Sequence, residues 1–484
     1  MPAGTQQSSA SQAATPGSAT LNAPSPQQLT TNPSSLQNPY YGSVTMGTVS
    51  PETLKLSLED AIDRGLQANL GLTETRFEEN SADAARLQRL QPLLPSLTAE
   101  ASTGAHQFNL RTFGFGAGLL DQVAPLFPNL NLAGFNPIVK VDVTTADAAL
   151  NWTAFDMSAL TRYRAAKQDV TVAFYSKQSS RGEVVQDVGN QYLQTVADQS
   201  QIDSARALLA ADAVLLRQAE SEHAAGTVPR LDESRARVQY QTQQQRLIAA
   251  ENTFEKDQIL LKREIGVPVE QKIELIDRSP YADLATMSLD EALKTAYRNR
   301  QDYQGIQHQM DSARLMHAAA RYERFPTLTA SGNYGITGLT HGLYHGSFLA
   351  MAELQLPLFK EAQIRGDIDV AASQENDIRF RIANLKQQIN QQIRDSLLDL
   401  SSSRTLVEVS QQNDELAQSA LNDANERFAS GVDDNLPVVQ AQATLSQAQA
   451  QLIMDTLNYN QAKLGLARNL GIIDTQYKTY LHGR

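Results

Sequence analysis

Few residues in this chain have the type and spacing that chemistry demands. His341 and His345 stand four apart, but in a glycine-rich stretch between two alternating segments rather than on a helix, so no metal site is expected there. Gly114-Phe115-Gly116-Ala117-Gly118 has the wrong spacing for a dinucleotide loop, and no Walker A, GxSxG or HExxH pattern occurs. The absence of cysteine removes disulfides, iron–sulfur clusters, cysteine-ligated zinc and thiol nucleophiles. The Asp and Glu residues, 53 against 41 Lys and Arg, fall mostly at solvent-facing positions of helical patterns and read as solvated faces. The chain is therefore not expected to be an enzyme or to carry a cofactor or metal. Its acidic balance gives no reason to expect nucleic acid as a partner.

What the sequence does offer is a repeat. Residues 1–51 lack Lys, Arg, Asp and Glu and are rich in Ser, Thr, Gln, Asn, Pro and Ala, a composition that reads as a disordered polar arm. No basic segment followed by an apolar one is visible there, so no secretory signal is apparent. Beyond the arm, Ser57-Leu58-Glu59-Asp60-Ala61-Ile62 matches Ser288-Leu289-Asp290-Glu291-Ala292-Leu293, and Leu94-Pro95-Ser96-Leu97-Thr98-Ala99 matches Phe325-Pro326-Thr327-Leu328-Thr329-Ala330, both 231 positions apart. Leu150-Asn151-Trp152 with Phe155 answers Leu354-Gln355-Leu356 with Phe359 at 204, and Gly226 and Gly266 answer Gly431 and Gly471 at 205. The shift of about 27 places an insertion near 108–140 of the first half, unusually apolar for a loop, with Phe113, Phe115, Leu126 and Phe127 among its residues. Such a surface needs a partner, and folding over as a cap against copies of itself or extending the strand pair as a rim would each supply one.

Each half carries the same order of elements. In the first repeat, 52–286, the pattern predicts a helix at 57–92, strands at about 96–107 and 141–153, a long helix at 156–224, a returning helix at 231–265 and a connecting segment at 267–286. In the second, 287–484, it predicts a helix at 288–324, strands at about 327–337 and 347–356, a long helix at 360–429, a returning helix at 437–470 and a tail. Prolines at 95 and 326 close the first helices, period-two alternation marks the strands, and the proline-free long helices would extend on the order of 100 Å. Two helices of about 35 residues placed end to end match one long helix, so each half can wind the shorter pair along the longer one. Four strands with one apolar and one polar face admit two readings: hairpins packed in a small α+β core, or strands of a membrane barrel. Because a barrel needs about eight strands, the second requires several chains.

The order helix, strand, strand, long helix, glycine turn and returning helix, given twice over residues 52–475, resembles the TolC-like outer-membrane factor family. Phe155-Asp156-Met157-Ser158, Ala225-Gly226-Thr227, Ser430-Gly431-Val432 and Ile265-Gly266-Val267-Pro268 are similar to its pattern. The resemblance implies a mainly α fold with a transmembrane β-barrel: a homotrimer whose twelve strands sit in outer-membrane lipid of a Gram-negative cell and continue into a periplasmic coiled-coil tunnel. It implies a passive duct for drugs, toxic compounds or proteins, fed by a proton-driven or ATP-driven inner-membrane pump through a periplasmic adaptor protein.

The same resemblance makes Ala225, Gly226, Thr227, Ser430, Gly431 and Val432 adaptor contacts at the periplasmic tip, and Asp232 a tip-gate residue. The family's partners for that aspartate are absent, with Phe428 and Asp433 at the tyrosine and arginine positions. Pro437 and Gln440 stand where the family has its acidic ring. Asp433 and Asp434 could replace that ring, repelling one another and attracting cations. The competing expectation is a long coiled-coil scaffold with no transport role, which accounts for the helices but not for the repeated strand pairs.

Overall fold

The structure, a computed structural model, describes residues 42–109, 138–277, 283–284 and 287–482. Phe113, Phe115, Leu126 and Phe127 lie outside the described residues, as do positions 1–41 of the polar arm. The chain begins with β1 (Leu54–Leu56), α1 (Leu58–Ala68), α2 (Leu70–Leu90), a 3-10 turn (Gln91–Leu93), β2 (Ser96–Asn109) and β3 (Ile138–Phe155). Then come α3 (Met157–Ala224), α4 (Arg230–Glu264) and β4 (Ile273–Leu275). The second half supplies α5 (Leu289–Asn299), α6 (Gln301–Tyr322), β5 (Thr327–Leu339), β6 (Tyr344–Gln355), α7 (Glu361–Ala429), α8 (Leu436–Asn469) and α9 (Ile473–His482).

The helices predicted at 57–92 and 288–324 are each two helices, a correction to the sequence reading. Asn69 and Arg300 adopt extended backbone (φ −61°, ψ 128° and φ −64°, ψ 124°), which ends one helix and starts the next. Asn69 serves both: its N–H donates to the Gly65 carbonyl, and its side chain accepts from Leu72 N at 3.0 Å. Arg300 has no side-chain cap. Its guanidinium instead binds Asp302, the Gln392 side chain and the Asn469 carbonyl. Burial alone would raise the Asp302 carboxyl, but the Arg300 bonds and charge bring it below its ordinary range.

Residues 42–51 are a second correction, because they are pinned rather than free. Val44 N donates to the Ala68 carbonyl and Met46 N to that of Gly266, the Ser43 hydroxyl binds the Glu264 carbonyl, and Ser50 N donates to the Gln271 side chain. These bonds tie the segment across the α1–α2 break and the end of α4. A parallel pairing of β1 with β4 and the terminal helix α9 complete this equatorial region; neither was anticipated.

The long helices organise the rest. α2 and α4 run along α3, α6 and α8 run along α7, and α6 also lies against α3, so the halves interlock. The main apolar core lies at the equator, where Leu56, Ile62, Val184, Val188, Tyr192, Leu261, Ile389, Ile393, Leu464 and Leu481 are buried together. Tyr192 satisfies its hydroxyl there by donating to the Leu56 carbonyl at 3.0 Å and to Asp277 at 2.9 Å. A second cluster near the far end joins Leu215, Ala219, Ala236, Leu421 and Val438, with Phe428 packed against it.

The opposite end is an antiparallel sheet in the order β2-β3-β5-β6. Its register places Leu97, Leu150, Trp152, Tyr334, Phe348 and Leu354 on one face, all exposed. The other face carries Glu100 opposite Asp147, with Thr98, Asn151, Asn333 and Glu353. Among the described residues no element covers the apolar face, and β2 and β6 pair on one side only. No helix of the described residues is long and apolar enough to cross a membrane.

Candidate functional site: the paired glycine turns and the sheet

The two turns at the end of the helical body are built alike. α3 passes through Ala225 to Gly226, whose φ of 76° lets its N–H reach the His223 carbonyl while Thr227 N reaches that of Glu222. α7 passes through Ser430 to Gly431 at φ 69°, with Gly431 N on Phe428 and Val432 N on Arg427. This six-to-one and five-to-two bonding closes a helix when the residue past its end takes the left-handed conformation that glycine tolerates. The Thr227 hydroxyl adds a second bond to the Glu222 carbonyl, and the Ser430 hydroxyl bonds that of Glu426. Nothing lies within 4 Å of where a β-carbon would stand at Gly226 or Gly431. The backbone at both turns is therefore open to a partner.

Sequence reasoning placed Asp232, Asp433, Asp434 and Gln440 near these turns but missed the groups that connect them. Arg235, one turn into α4, holds Asp232 at 3.1 Å and reaches across to Asp434 at 3.2 Å. Asn435, fully buried, donates from its side-chain amide to the Asp232 carbonyl at 2.8 Å, a second link between the two hairpins. Asp433 is held by Arg427 at 2.7 Å. Asp433 and Asp434, read as a clustered pair of carboxylates, are thus each ion-paired within the chain, the second across the hairpins. Gln440 takes no part: it is exposed on α8, where its carbonyl accepts the Thr444 hydroxyl. Arg235 could have been suspected because it lies three residues after Asp232, as helical neighbours do. Its reach to Asp434 depends on the packing of separate hairpins and leaves no local trace.

Between the turns and the equator, α3, α4 and α8 line a half-open recess of about 290 Å³ that includes Asp198, Gln243, Arg246 and Ser446. Burial pushes the Asp198 carboxyl up to about 7, and the nearby Asp257 carboxyl adds to the rise. Closer to the tip, burial likewise lifts Asp212 to about 6 against the opposing pull of Gln239 and Arg246. The helical body therefore contains carboxyls that titrate near neutrality.

Two stretches of helix surface are apolar and uncovered among the described residues: Leu231, Val238, Ile248 and Ile259 on α4, and Leu398, Leu406, Val409 and Leu416 on α7. With the bare sheet face and its two free edges, they give the chain the surfaces of an incomplete assembly.

Comparison with known proteins agrees with that geometry. The efflux pump outer membrane protein SepC of Pseudomonas putida is 28% identical over 318 residues, covering 64% of this chain and 65% of SepC. The pyoverdine export outer membrane protein OpmQ of Pseudomonas aeruginosa is 26% identical over 315 residues, again 64% of this chain and 65% of OpmQ. The chain thus spans about 65% of the length of these curated relatives. Among solved structures, a membrane protein from Pseudomonas aeruginosa matches with a TM-score of 0.72 at 19% identity, covering 86% of this chain and 93% of that one. The outer membrane protein VceC from Vibrio cholerae matches with a TM-score of 0.69 at 17% identity, covering 86% and 96%. The model of the outer membrane efflux protein family matches residues 61–267 and 292–472, most of the sequence, and the chain belongs to that family.

Proposed function

We propose that this chain is the outer-membrane channel of a tripartite export system, acting as a homotrimer that carries drugs, toxic compounds or proteins passively from an inner-membrane pump to the cell exterior. One observation carries the reading: among the described residues, the half of the four-stranded sheet next to the helices has an uncovered apolar face and a polar opposite face, and both sheet edges are free of a further strand. A sheet of this kind is costly in water because its apolar face stays wet and its edge N–H and C=O groups lack partners. In lipid the apolar face is matched, and closure satisfies the edges. Three copies of four strands make twelve, enough to enclose a water-filled lumen lined by Glu100, Asp147, Asn333 and Glu353. The α4 and α7 stripes then become helix contacts between copies, and the helical body continues the lumen into the periplasm.

The tip supplies the gate and the docking points. Arg235 clasps the two hairpins of one subunit through Asp232 and Asp434, which favours a narrow tip. The periplasmic adaptor seats its own tips beside Ala225, Gly226 and Thr227 and beside Ser430, Gly431 and Val432. Because Gly226 and Gly431 carry no side chain and the space where one would stand is open, the adaptor can approach the backbone at these two positions and draw the hairpins apart. The duct itself holds no energy source, so direction comes from the pump.

Reconstitution into a planar bilayer tests this reading. Purified detergent-extracted protein is expected to add discrete, ohmic conductance steps with low current in the closed state. Protein that folds but inserts no channel at any concentration contradicts the proposal.

A further inference from the structure

The internal repeat carries more than a family resemblance, because its two halves share one three-dimensional register. Moving β2 forward by 231 positions and β3 by 204 converts the β2–β3 pairing into the β5–β6 pairing without a slip. Leu97↔Leu150 becomes Leu328↔Leu354, Ala99↔Ala148 becomes Ala330↔Ala352, and Gln107↔Lys140 becomes Gly338↔Tyr344, each an observed pair. The offsets read from sequence are therefore geometric operators of the sheet. A third interface, β3 against β5, joins the two halves. Its repeat-related counterpart is β6 against β2, and in one chain these two strands lie at opposite edges.

We infer that β6 of one copy zips onto β2 of the next copy of this chain in a register copied from β3–β5, running from Gly346 opposite Asn109 to Gln355 opposite Glu100. The inference rests on the trimeric-barrel reading and adds to it which residues meet at the seam. Applying the offsets to Leu150↔Gly332 and Ala146↔Ile336 gives Leu354 opposite Ala101 and Ala350 opposite Ala105. Every pair keeps apolar-face residues together and polar-face residues together. A register off by one residue would mix the faces.

Two independent observations support that register. The first is exposure. Leu328 and Leu150, at the internal interface, are 36% and 43% exposed, whereas their counterparts Leu97 and Leu354, at the free edges, are 73% and 69% exposed. The excess sits where a copied interface would cover it. The second is Gly335, where a β-carbon would collide with Asp147 across the β3–β5 pair. Its counterpart Gly104 meets only the His106 ring in the single chain. At the seam Gly104 stands opposite Met351, the counterpart of Asp147, and there a glycine has the same use.

The chain contains no cysteine, so the seam can be mapped by pairwise cysteine replacement in the full-length protein. Directly opposed strand residues have Cα atoms about 4.5–5.5 Å apart, within disulfide reach, while pairs displaced by two lie about 7–8 Å apart, outside it. The matched variants are Leu354→Cys with Ala101→Cys on the lipid face and Glu353→Cys with Ser102→Cys on the lumen face. The displaced controls are Leu354→Cys with Ala99→Cys and Leu354→Cys with Thr103→Cys.

After mild oxidation, the matched variants are expected to run as covalent trimers on a denaturing, non-reducing gel and collapse to single chains on reduction. The displaced variants should remain single chains. Linkage of a displaced pair without the matched pairs overturns the register while leaving the trimer standing. No linkage in any variant, together with a single-chain mass for the unmodified protein in detergent, overturns the trimer reading itself. Native-gel migration of each reduced variant establishes that assembly preceded oxidation.

Discussion

Four helices of this molecule end in the same glycine-centred turn, but in different surroundings. Gly226, Gly266, Gly431 and Gly471 all have positive φ, and all four turns repeat the same pair of helix-closing bonds or its longer member. At the equator, a β-carbon on Gly266 would collide with Ala68 and come within 2.7 Å of the Val44 carbonyl oxygen, and one on Gly471 would come within 2.6 Å of Arg300 N. At the tip, Gly226 and Gly431 face open space. The equatorial turns are wedged into the breaks at Asn69 and Arg300 and fix the frame. The tip turns keep the same backbone free for another molecule. Local conformation alone does not distinguish a packed glycine from an exposed one; the neighbours do.

Alanine replacement separates the two roles, and the largest effect is expected at the equator. Gly266→Ala and Gly471→Ala combine left-handed strain of about 1–2 kcal/mol with a clash against backbone, and should cut the yield of folded oligomer severely. Gly226→Ala and Gly431→Ala carry only the strain, so assembled protein should persist in the outer membrane while adaptor pull-down and export fall. Comparable yields for the two sets would erase the distinction.

A second effect belongs to the tip alone. Arg235→Ala removes the bridge to Asp232 and Asp434 and should raise closed-state conductance, whereas Arg235→Lys should do so less, since lysine retains the charge. Asp434 is half exposed whereas Asp232 is buried; an exposed pair contributes about 0.2–1 kcal/mol and is screened by salt, so high salt should loosen the Asp434 arm and reproduce part of the rise in the unmodified channel. Unchanged conductance in Arg235→Ala would remove the clasp from the account.

The smallest effect is expected in the helical wall. In the unfolded chain Asp198 ionises near its ordinary value of 3.8, but in the folded chain it holds its proton until about 7. Stability from this group therefore falls as pH climbs through that window and levels off above it. Asp198→Asn should flatten the fall and raise the melting temperature by a few degrees at pH 8, with little change at pH 4. Parallel pH profiles for both proteins would contradict the assignment.

Much of this architecture was legible in the residues because its periods are long. The proline-free helices and alternating strands announce themselves over tens of positions, and the glycines mark their own turns. The breaks at Asn69 and Arg300 did not, because neither carries proline or glycine; each is imposed by a distant turn, Gly266 on one and Gly471 on the other. Residues 42–51 misled for a related reason: uncharged polar sequence reads as free chain, yet its backbone N–H groups find partners at Ala68 and Gly266. At the tip, the turn glycines were visible from spacing, whereas Arg235 and Asn435 act across hairpins that only the fold brings together.

The central claim is that one chain is a third of a barrel. The mass of the detergent-extracted protein, measured by light scattering with the detergent contribution subtracted, tests it most directly. The account predicts three chains of 53.0 kDa per particle, separating only on heating in denaturant. A folded single chain, stable and soluble in buffer without detergent, would contradict it.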